Sequence, residues 1–370
     1  MSKNEISVPF NDLLRIHKPL IPQFNEFLTS AIQSSSFVNG QIVSEFENNL
    51  AKAEGLNFAA STSTGTSAIE LTLKALGIGP GDEVVTTSFT FVATVFSILQ
   101  VGAVPVLVDI NGNDCLIDPD SITKSISKKT KAIIVVSLHG RLDHVNLYED
   151  IAKRYGLYLI LDASQSHLAR WNNNNQGKYF DAITLSFYPG KNLGSLGEGG
   201  AVLSDNSKII EMVRIMRDWG SKQKYVHDYW GGNYRMQSIQ AGFLNIKLPY
   251  LTEWTIERKK IAQKYISELN PEILRSPVSQ IGDNVYHIFD VLVKNREKVI
   301  AHLVEQKIST GIHYPIIVQD NNEYRDKIKQ LSPCENAKKL ANTTLSLPLF
   351  PGLTEEELET VINAINNYYD

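Results

Sequence analysis

A lysine attacks an aldehyde only after losing its proton, so a nucleophilic lysine needs surroundings that disfavour the ammonium. Lys191 stands where such surroundings could form, in Leu185-Ser186-Phe187-Tyr188-Pro189-Gly190-Lys191-Asn192-Leu193-Gly194. An apolar run leads into the Pro-Gly turn, and Gly197-Glu198-Gly199-Gly200 precedes the next apolar run. A turn at the end of a buried strand would project the amine into a central crevice. Most lysines are solvated surface groups, so this one gains meaning only from its companions. Asp162 ends the apolar run Tyr158-Leu159-Ile160-Leu161. A carboxylate there is costly unless it meets a cationic or strongly donating partner, and a protonated pyridine nitrogen is one. Capping of a following helix is the ordinary alternative. Ser63-Thr64-Gly65-Thr66-Ser67 precedes a helical pattern. Small hydroxyl residues and a glycine at a helix start leave amides free for an anion, although serine and threonine are also common caps. Ser186 could donate its hydroxyl to the same anion. Gln165 could reach a phenolic oxygen, and His167 could face a substrate. Cup, aspartate and lysine, in that order, would hold a phosphorylated pyridine aldehyde at three points.

These residues need a frame that brings strand ends together. Between positions 50 and 206 short apolar runs alternate with helical patterns. The runs at 83–88, 104–110, 132–138, 158–162, 182–188 and 200–204 are rich in Val and Ile, as strands buried on both faces must be. Helical spacing at 67–76, 92–101 and 147–155 separates them, which predicts an α/β fold with a mostly parallel sheet. Helices are expected at 238–246 and 251–269. Runs at 285–293 and 309–314, a helix near 297–306 and a final helix at 355–369 suggest a small α+β domain. The expected division is a large unit at 1–250 and a small one at 251–370. Residues 13–34 should pack on the small unit or on a second subunit. Asn172-Asn173-Asn174-Asn175-Gln176 reads as a surface turn between strands.

Composition narrows the function further. The chain of 370 residues has a net charge of −4, with 43% hydrophobic and 21% charged residues. That balance argues against a broad cationic face for nucleic acid or anionic lipid. Cys115 and Cys334 are too few for a disulfide framework and lack zinc-site spacing. No stretch has the length of a membrane span, and residues 1–10 lack the apolar run of a secretory signal, so a cytoplasmic protein is expected. No G-x-G-x-x-G opens a helix after a strand, which counts against a nicotinamide enzyme.

The chain resembles the DegT/StrS family of sugar aminotransferases, pyridoxal-phosphate enzymes of fold type I. The markers begin at Val8-Pro9-Phe10-Asn11-Asp12-Leu13 and run nearly to the end. They include Gly79-Pro80-Gly81-Asp82-Glu83-Val84, Thr90-Phe91-Val92-Ala93-Thr94 and Gly102-Ala103-Val104-Pro105-Val106, with the Lys191 segment the most specific. The resemblance implies that Lys191 carries pyridoxal 5'-phosphate as a Schiff base and shuttles the proton. Asp162 would pair with the pyridine nitrogen and Gln165 with the ring oxygen. Gly65, Thr66 and Ser186 would hold the phosphate. Phe91 would stack on the ring, with Phe89 close by. Asn233 would reach the phosphate of a neighbouring subunit, implying a homodimer with composite sites. Tyr225 and His227, in the segment 219–230, suit a loop that crosses to that subunit and meets a nucleotide-sugar. Tyr188, His313 and Tyr314 match substrate-side positions. The implied reaction moves an amino group from L-glutamate, through the pyridoxamine form, to a keto-sugar nucleotide. The Phe-Tyr-Pro-Gly-Lys form favours a dTDP-linked 3-keto-6-deoxyhexose, with a 4-keto or UDP-linked 3-keto sugar as the alternative. Two departures stand out. Gln237 replaces the aspartate of Arg-Met-Asp-x-x-Gln-Ala. Asp162-Ala163-Ser164-Gln165-Ser166-His167-Leu168 stands where Asp-Ala-Ala-Gln-Ala-His-Gly is common, and neither change is expected to touch the lysine or the pyridine partner.

Overall fold

The computed structural model describes residues 7–275 and 279–369. Residues 1–6, part of the stretch searched for a secretory signal, lie outside them. Eight strands form one sheet in the order Phe58–Thr62, Gly200–Ser204, Ala182–Ser186, Tyr158–Asp162, Thr130–Val136, Glu83–Thr87, Val104–Val108, Lys329–Gln330. Gly200–Ser204 runs antiparallel to both neighbours, and the other pairs are parallel. The fold is α/β with a mostly parallel sheet, as the alternating pattern predicts. Its interior is apolar because helices cover both faces; Ile133, Ile134, Ile160, Leu161, Ile183 and Leu185 are all fully buried.

Two strands of this sheet escape the sequence reading. Phe58-Ala59-Ala60-Ser61-Thr62 is too rich in small residues to read as a strand. Lys329–Gln330 is polar and two residues long, and it joins the sheet only by pairing with Val104–Val108. The run 309–314 is irregular, with a single bridge between Gly311 and Ser346. The polyasparagine run turns at Asn172 and Asn173, both at positive φ, between Arg170–Trp171 and Asn174–Asn175. Its last residue departs from the expected surface turn, since Gln176 is fully buried.

A second apolar cluster gathers Ile261, Tyr265, Phe289, Val291, Leu303, Leu345, Val361 and Ile365, and Val8 from the N-terminal segment joins it. Phe289–Leu292 and Thr344–Leu347 pair antiparallel beneath the helices Leu251–Glu268, Arg296–Glu305 and Glu355–Tyr369. The N-terminal helix Ile21–Gln33 packs through Phe24 and Phe27 on Phe243 and Trp254. Just before it, Arg15 makes two 2.7 Å bonds to Glu357 in the last helix. Among the described residues no helix is long and apolar enough to cross a membrane.

Candidate active site

Loops leaving the carboxyl ends of the parallel strands meet in a cavity of about 850 Å³. The cup comes first. Thr64 caps the helix Gly65–Ala75: its hydroxyl accepts from the Ser67 amide at 3.0 Å, and the Ser67 hydroxyl accepts from the Thr64 amide at 3.0 Å. That reciprocal cap leaves the Gly65 and Thr66 amides, at the positive end of the helix, for an anion. A Cβ on Gly65 would fall 2.6 Å from the Ser186 Cβ, so only glycine lets the cup close on the strand end that carries Ser186.

Asp162 ends its strand 6% exposed. Its Oδ2 accepts from the Thr94 hydroxyl at 2.8 Å, and its Oδ1 from the Ser164 hydroxyl at 2.6 Å and the Ser164 amide at 3.2 Å. Donors from the start of the helix Ala93–Gln100 and from the loop after the strand thus fix a buried carboxylate at the cavity wall. The Ser164 bond corrects an expectation: the departure from the family's sequence after Asp162 does touch the pyridine partner's position. Gln237, the other departure, is exposed at the N-cap of the helix Ser238–Lys247.

Lys191 enters the cavity on a turn closed by its own amide bonding the Tyr188 carbonyl at 2.8 Å. Phe187 and Leu193, both fully buried, anchor the two sides of that turn. Gly194 lies so close under it that a Cβ would fall 2.2 Å from the Pro189 carbonyl oxygen. Lys247, itself buried, donates to the Gly194 carbonyl. Burial lowers the Lys191 ammonium to about 8, against the opposing pull of Asp162. A substantial fraction of the amine is therefore neutral at physiological pH.

The walls supply the remaining contacts. Gln165 Oε1 accepts from the His139 amide at 2.5 Å, so its Nε2 is turned outward as a donor, 3.3 Å from the Tyr314 hydroxyl. Phe91 lines the cavity with its ring 5.8 Å from that of Tyr314, whereas Phe89 is buried behind it. Tyr188, His313 and Tyr314 also line the cavity, and Phe10 stacks on His313 at 5.7 Å. Pyridoxal phosphate fits what is present. There is a cup of free amides beside a hydroxyl, a fixed buried carboxylate, and an amine of low proton affinity opening on the same cavity.

Other expected residues lie apart from this chain's cavity. His167 is fully buried, with Nε2 3.1 Å from the Ser186 carbonyl, and burial pushes it down to about 3. It braces Ser186 from behind and does not reach the cavity wall, which corrects its reading as a substrate contact. Asn233 is exposed and accepts from Arg235 Nε at 3.0 Å. Tyr225 is 82% exposed, and His227 holds the Trp219 carbonyl at 2.9 Å on the short ribbon Ser221–Gln223 and Val226–His227. Thr94, Ser164, Arg258 and His287 also line the cavity, and none of them had been given a role. Thr94 lay inside a family marker and Ser164 inside a departure from one, while Arg258 and His287 carried no local signal.

The family profile described as the DegT/DnrJ/EryC1/StrS aminotransferase family matches residues 20–366. The chain belongs to that family. This aminotransferase is 36% identical to "dTDP-3-amino-3,6-dideoxy-alpha-D-galactopyranose transaminase" of Aneurinibacillus thermoaerophilus, covering 98% of the chain and 99% of that protein. It is also 36% identical, with the same coverage, to the "Pleiotropic regulatory protein" of Geobacillus stearothermophilus. Among solved structures, S. venezuelae DesV in complex with a ketimine intermediate superposes with a TM-score of 0.95 at 32% identity, covering 98% of this chain and 99% of that one. The aminotransferase depends on pyridoxal phosphate, the cofactor of this fold.

Proposed function

We propose that the enzyme moves an amino group from L-glutamate to a keto-sugar nucleotide, a dTDP-linked 3-keto-6-deoxyhexose, as a cytoplasmic homodimer with composite sites. The carrying observation is that Lys191, Asp162 and the Gly65–Ser186 cup open on one cavity. Tyr188-Pro189-Gly190-Lys191-Asn192 and relatives named as dTDP-3-amino-sugar transaminases support the sugar. Relatives named for UDP-linked 3-keto substrates keep that nucleotide as the alternative. The residues at 1–250 form the cofactor-binding unit in this reading, and 251–370 the smaller one.

Gly65, Thr66 and Ser186 hold the phosphate, Asp162 pairs with the pyridine nitrogen, Gln165 Nε2 donates to the ring oxygen and Phe91 covers the ring. When bound, pyridoxal phosphate supplies a protonated ring that takes up the electron pair left as a carbon–hydrogen bond breaks. Lys191 Nζ would bind the cofactor's aldehyde carbon, and once displaced by an incoming amine it would carry a proton from the donor's α-carbon to that same cofactor carbon. Its lowered proton affinity suits both halves of that task. Tyr188, His313 and Tyr314 line the substrate side. Asn233, Tyr225 and His227 act on the neighbouring subunit's site, which fits their exposure here.

The test is direct. Borohydride should fix the cofactor to a peptide containing Lys191, and Lys191→Ala should lose about 10²–10⁴-fold in transamination rate. A colourless protein that takes up no pyridoxal phosphate would overturn the reading. Incubation with glutamate and a panel of 3-keto and 4-keto nucleotides, read by NMR, identifies the sugar. Amination at carbon 4 alone would replace the 3-keto substrate.

A further inference from the structure

His287 lines the cavity and has no part in the roles above. Its Nδ1 lies 3.2 Å from Oδ1 of Asn192. Asn192, 3% exposed, has only one way to orient its amide, because its Nδ2 donates to the Val285 carbonyl at 3.1 Å. An amide that donates through nitrogen at one end presents an acceptor oxygen at the other. His287 Nδ1 therefore carries the hydrogen, and Nε2 is a bare acceptor. Among the described residues nothing bonds Nε2. The backbone beneath the ring is tied on several sides: Val285 N to the Gly140 carbonyl at 3.0 Å, and Arg258 Nη1 to the Tyr286 and His287 carbonyls at 3.2 and 3.5 Å. Burial, and then the charges of Lys191 and Arg258 with His313 and His167, hold the ring well below the usual histidine range. The imidazole stays neutral.

A fixed acceptor selects its ligand by chemistry. The carboxylates of glutamate can only accept, so they gain nothing from a bare nitrogen. Sugar hydroxyls donate. His287 and Lys191 line the same cavity, so a sugar whose carbonyl carbon meets the lysine can turn a neighbouring hydroxyl toward the ring. We propose that His287 accepts a hydrogen bond from a hydroxyl of the acceptor sugar, on a carbon adjacent to the one aminated, and that Asn192 sets the ring for this by fixing its tautomer. The inference rests on the sugar reading above and names a specificity-determining residue within it.

The two half-reactions separate the outcomes. Glutamate alone converts the cofactor and is followed by absorbance; the keto-sugar nucleotide then reverses that change. His287→Asn keeps a nitrogen near the Nδ1 position and leaves no acceptor at Nε2, whereas His287→Gln can offer an oxygen there. The Asn variant should lose about tenfold or more in kcat/KM for the sugar half-reaction. The glutamate half-reaction should change less than about twofold, and the Gln variant should recover part of the loss. Deleting the adjacent hydroxyl from a dTDP-6-deoxyhexose should weaken its binding to the wild-type protein in calorimetry and leave binding to His287→Asn unchanged. Equal loss in both half-reactions, or a full hydroxyl effect in the variant, would overturn the assignment. A wild-type protein that takes the amino group from glutamate and passes it to no keto-sugar overturns the sugar reading itself. Sugar turnover insensitive to His287→Asn overturns only the role of His287.

Discussion

Lys191 is a cation held where cations are disfavoured, and this has a measurable consequence. Its folded value of about 8 lies below the 10.5 of an exposed lysine. The unfolded chain thus binds more protons between those values, so the destabilisation is full below pH 8, fades as the pH rises from 8 to 10.5 and is gone above that. Cofactor-free Lys191→Met should be more stable than cofactor-free wild type at pH 7, by up to about 3 kcal/mol in denaturant melts. The gap should close by about pH 11, and a gap independent of pH would refute the buried-ammonium account. Asp162 offers a second test, since Thr94 and Ser164 supply its side-chain donors. The double variant Thr94→Val, Ser164→Ala leaves only the Ser164 amide on the carboxylate. Pyridoxal phosphate titrated into that apoprotein should bind about tenfold more weakly. Lys191 and Asp162 were legible because each sits in a contiguous motif at a strand end. His287 was not: its ring matters only through Asn192, nearly a hundred positions away in the chain.

The loop after Asp162 shows how an element is fastened from outside the site. Gln176 donates to the Ser166 carbonyl at 3.0 Å and to Glu54 Oε2 at 3.1 Å, and accepts from the Ser166 hydroxyl at 3.2 Å. Glu54 Oε1 accepts from the Leu168 amide at 2.9 Å, where Leu168 holds a left-handed backbone. Ser166 and Ser137 lie 2.6 Å apart, oxygen to oxygen, and Ser137 bonds the Asp162 carbonyl, so the clamp continues to the carboxyl end of the Asp162 strand. Burial pushes the Glu54 carboxyl up to about 7, against its hydrogen bonds and Arg170. The folded chain then binds more protons than the unfolded between pH 4.5 and 7, so stability falls as pH rises through that window. Whatever its offset, Glu54→Gln should gain about 2–3 kcal/mol on wild type between pH 5 and pH 8, by chemical denaturation at both values. A pH-independent difference would mean that Glu54 is ionised throughout. The strands framing this loop were readable from buried Val and Ile runs. The clamp was not, because polyasparagine followed by glutamine has the composition of a surface turn.

At the scale of the molecule, large aromatic side chains stand unusually free: Trp230 is 88% exposed, Tyr225 82% and Phe91 56%. Single exposed hydrophobes are ordinary, but these fall on the cavity rim and on the segment read as crossing to a second subunit. The composite-site proposal predicts complementation. Lys191→Ala and Asn233→Ala homodimers should each be weakly active. After mixing and exchange, half the dimers are hybrids with one intact site, so activity should return to about one quarter of wild type. No recovery above the two parents would show that Asn233 serves its own chain. The cores behave as separate packing units joined by chain exchange, since Val8 enters the second cluster and Lys329–Gln330 extends the main sheet.

What the sequence by itself determined follows from local rules. Alternating apolar runs imply a buried parallel sheet, glycine and hydroxyl residues at a helix start imply an anion cup, and a Pro-Gly-Lys turn after a strand implies an amine at the crevice. Each depends on neighbours within a few positions, so each can be read in line. Only the tertiary structure decided that Phe91 and not Phe89 faces the cavity, that His167 braces Ser186, that Ser164 bonds Asp162 and that His287 lines the cavity with Asn192 on its Nδ1. Those outcomes depend on side-chain direction and on partners brought close by packing, including the turn that sets Lys191 in the cavity wall, where burial lowers its proton affinity.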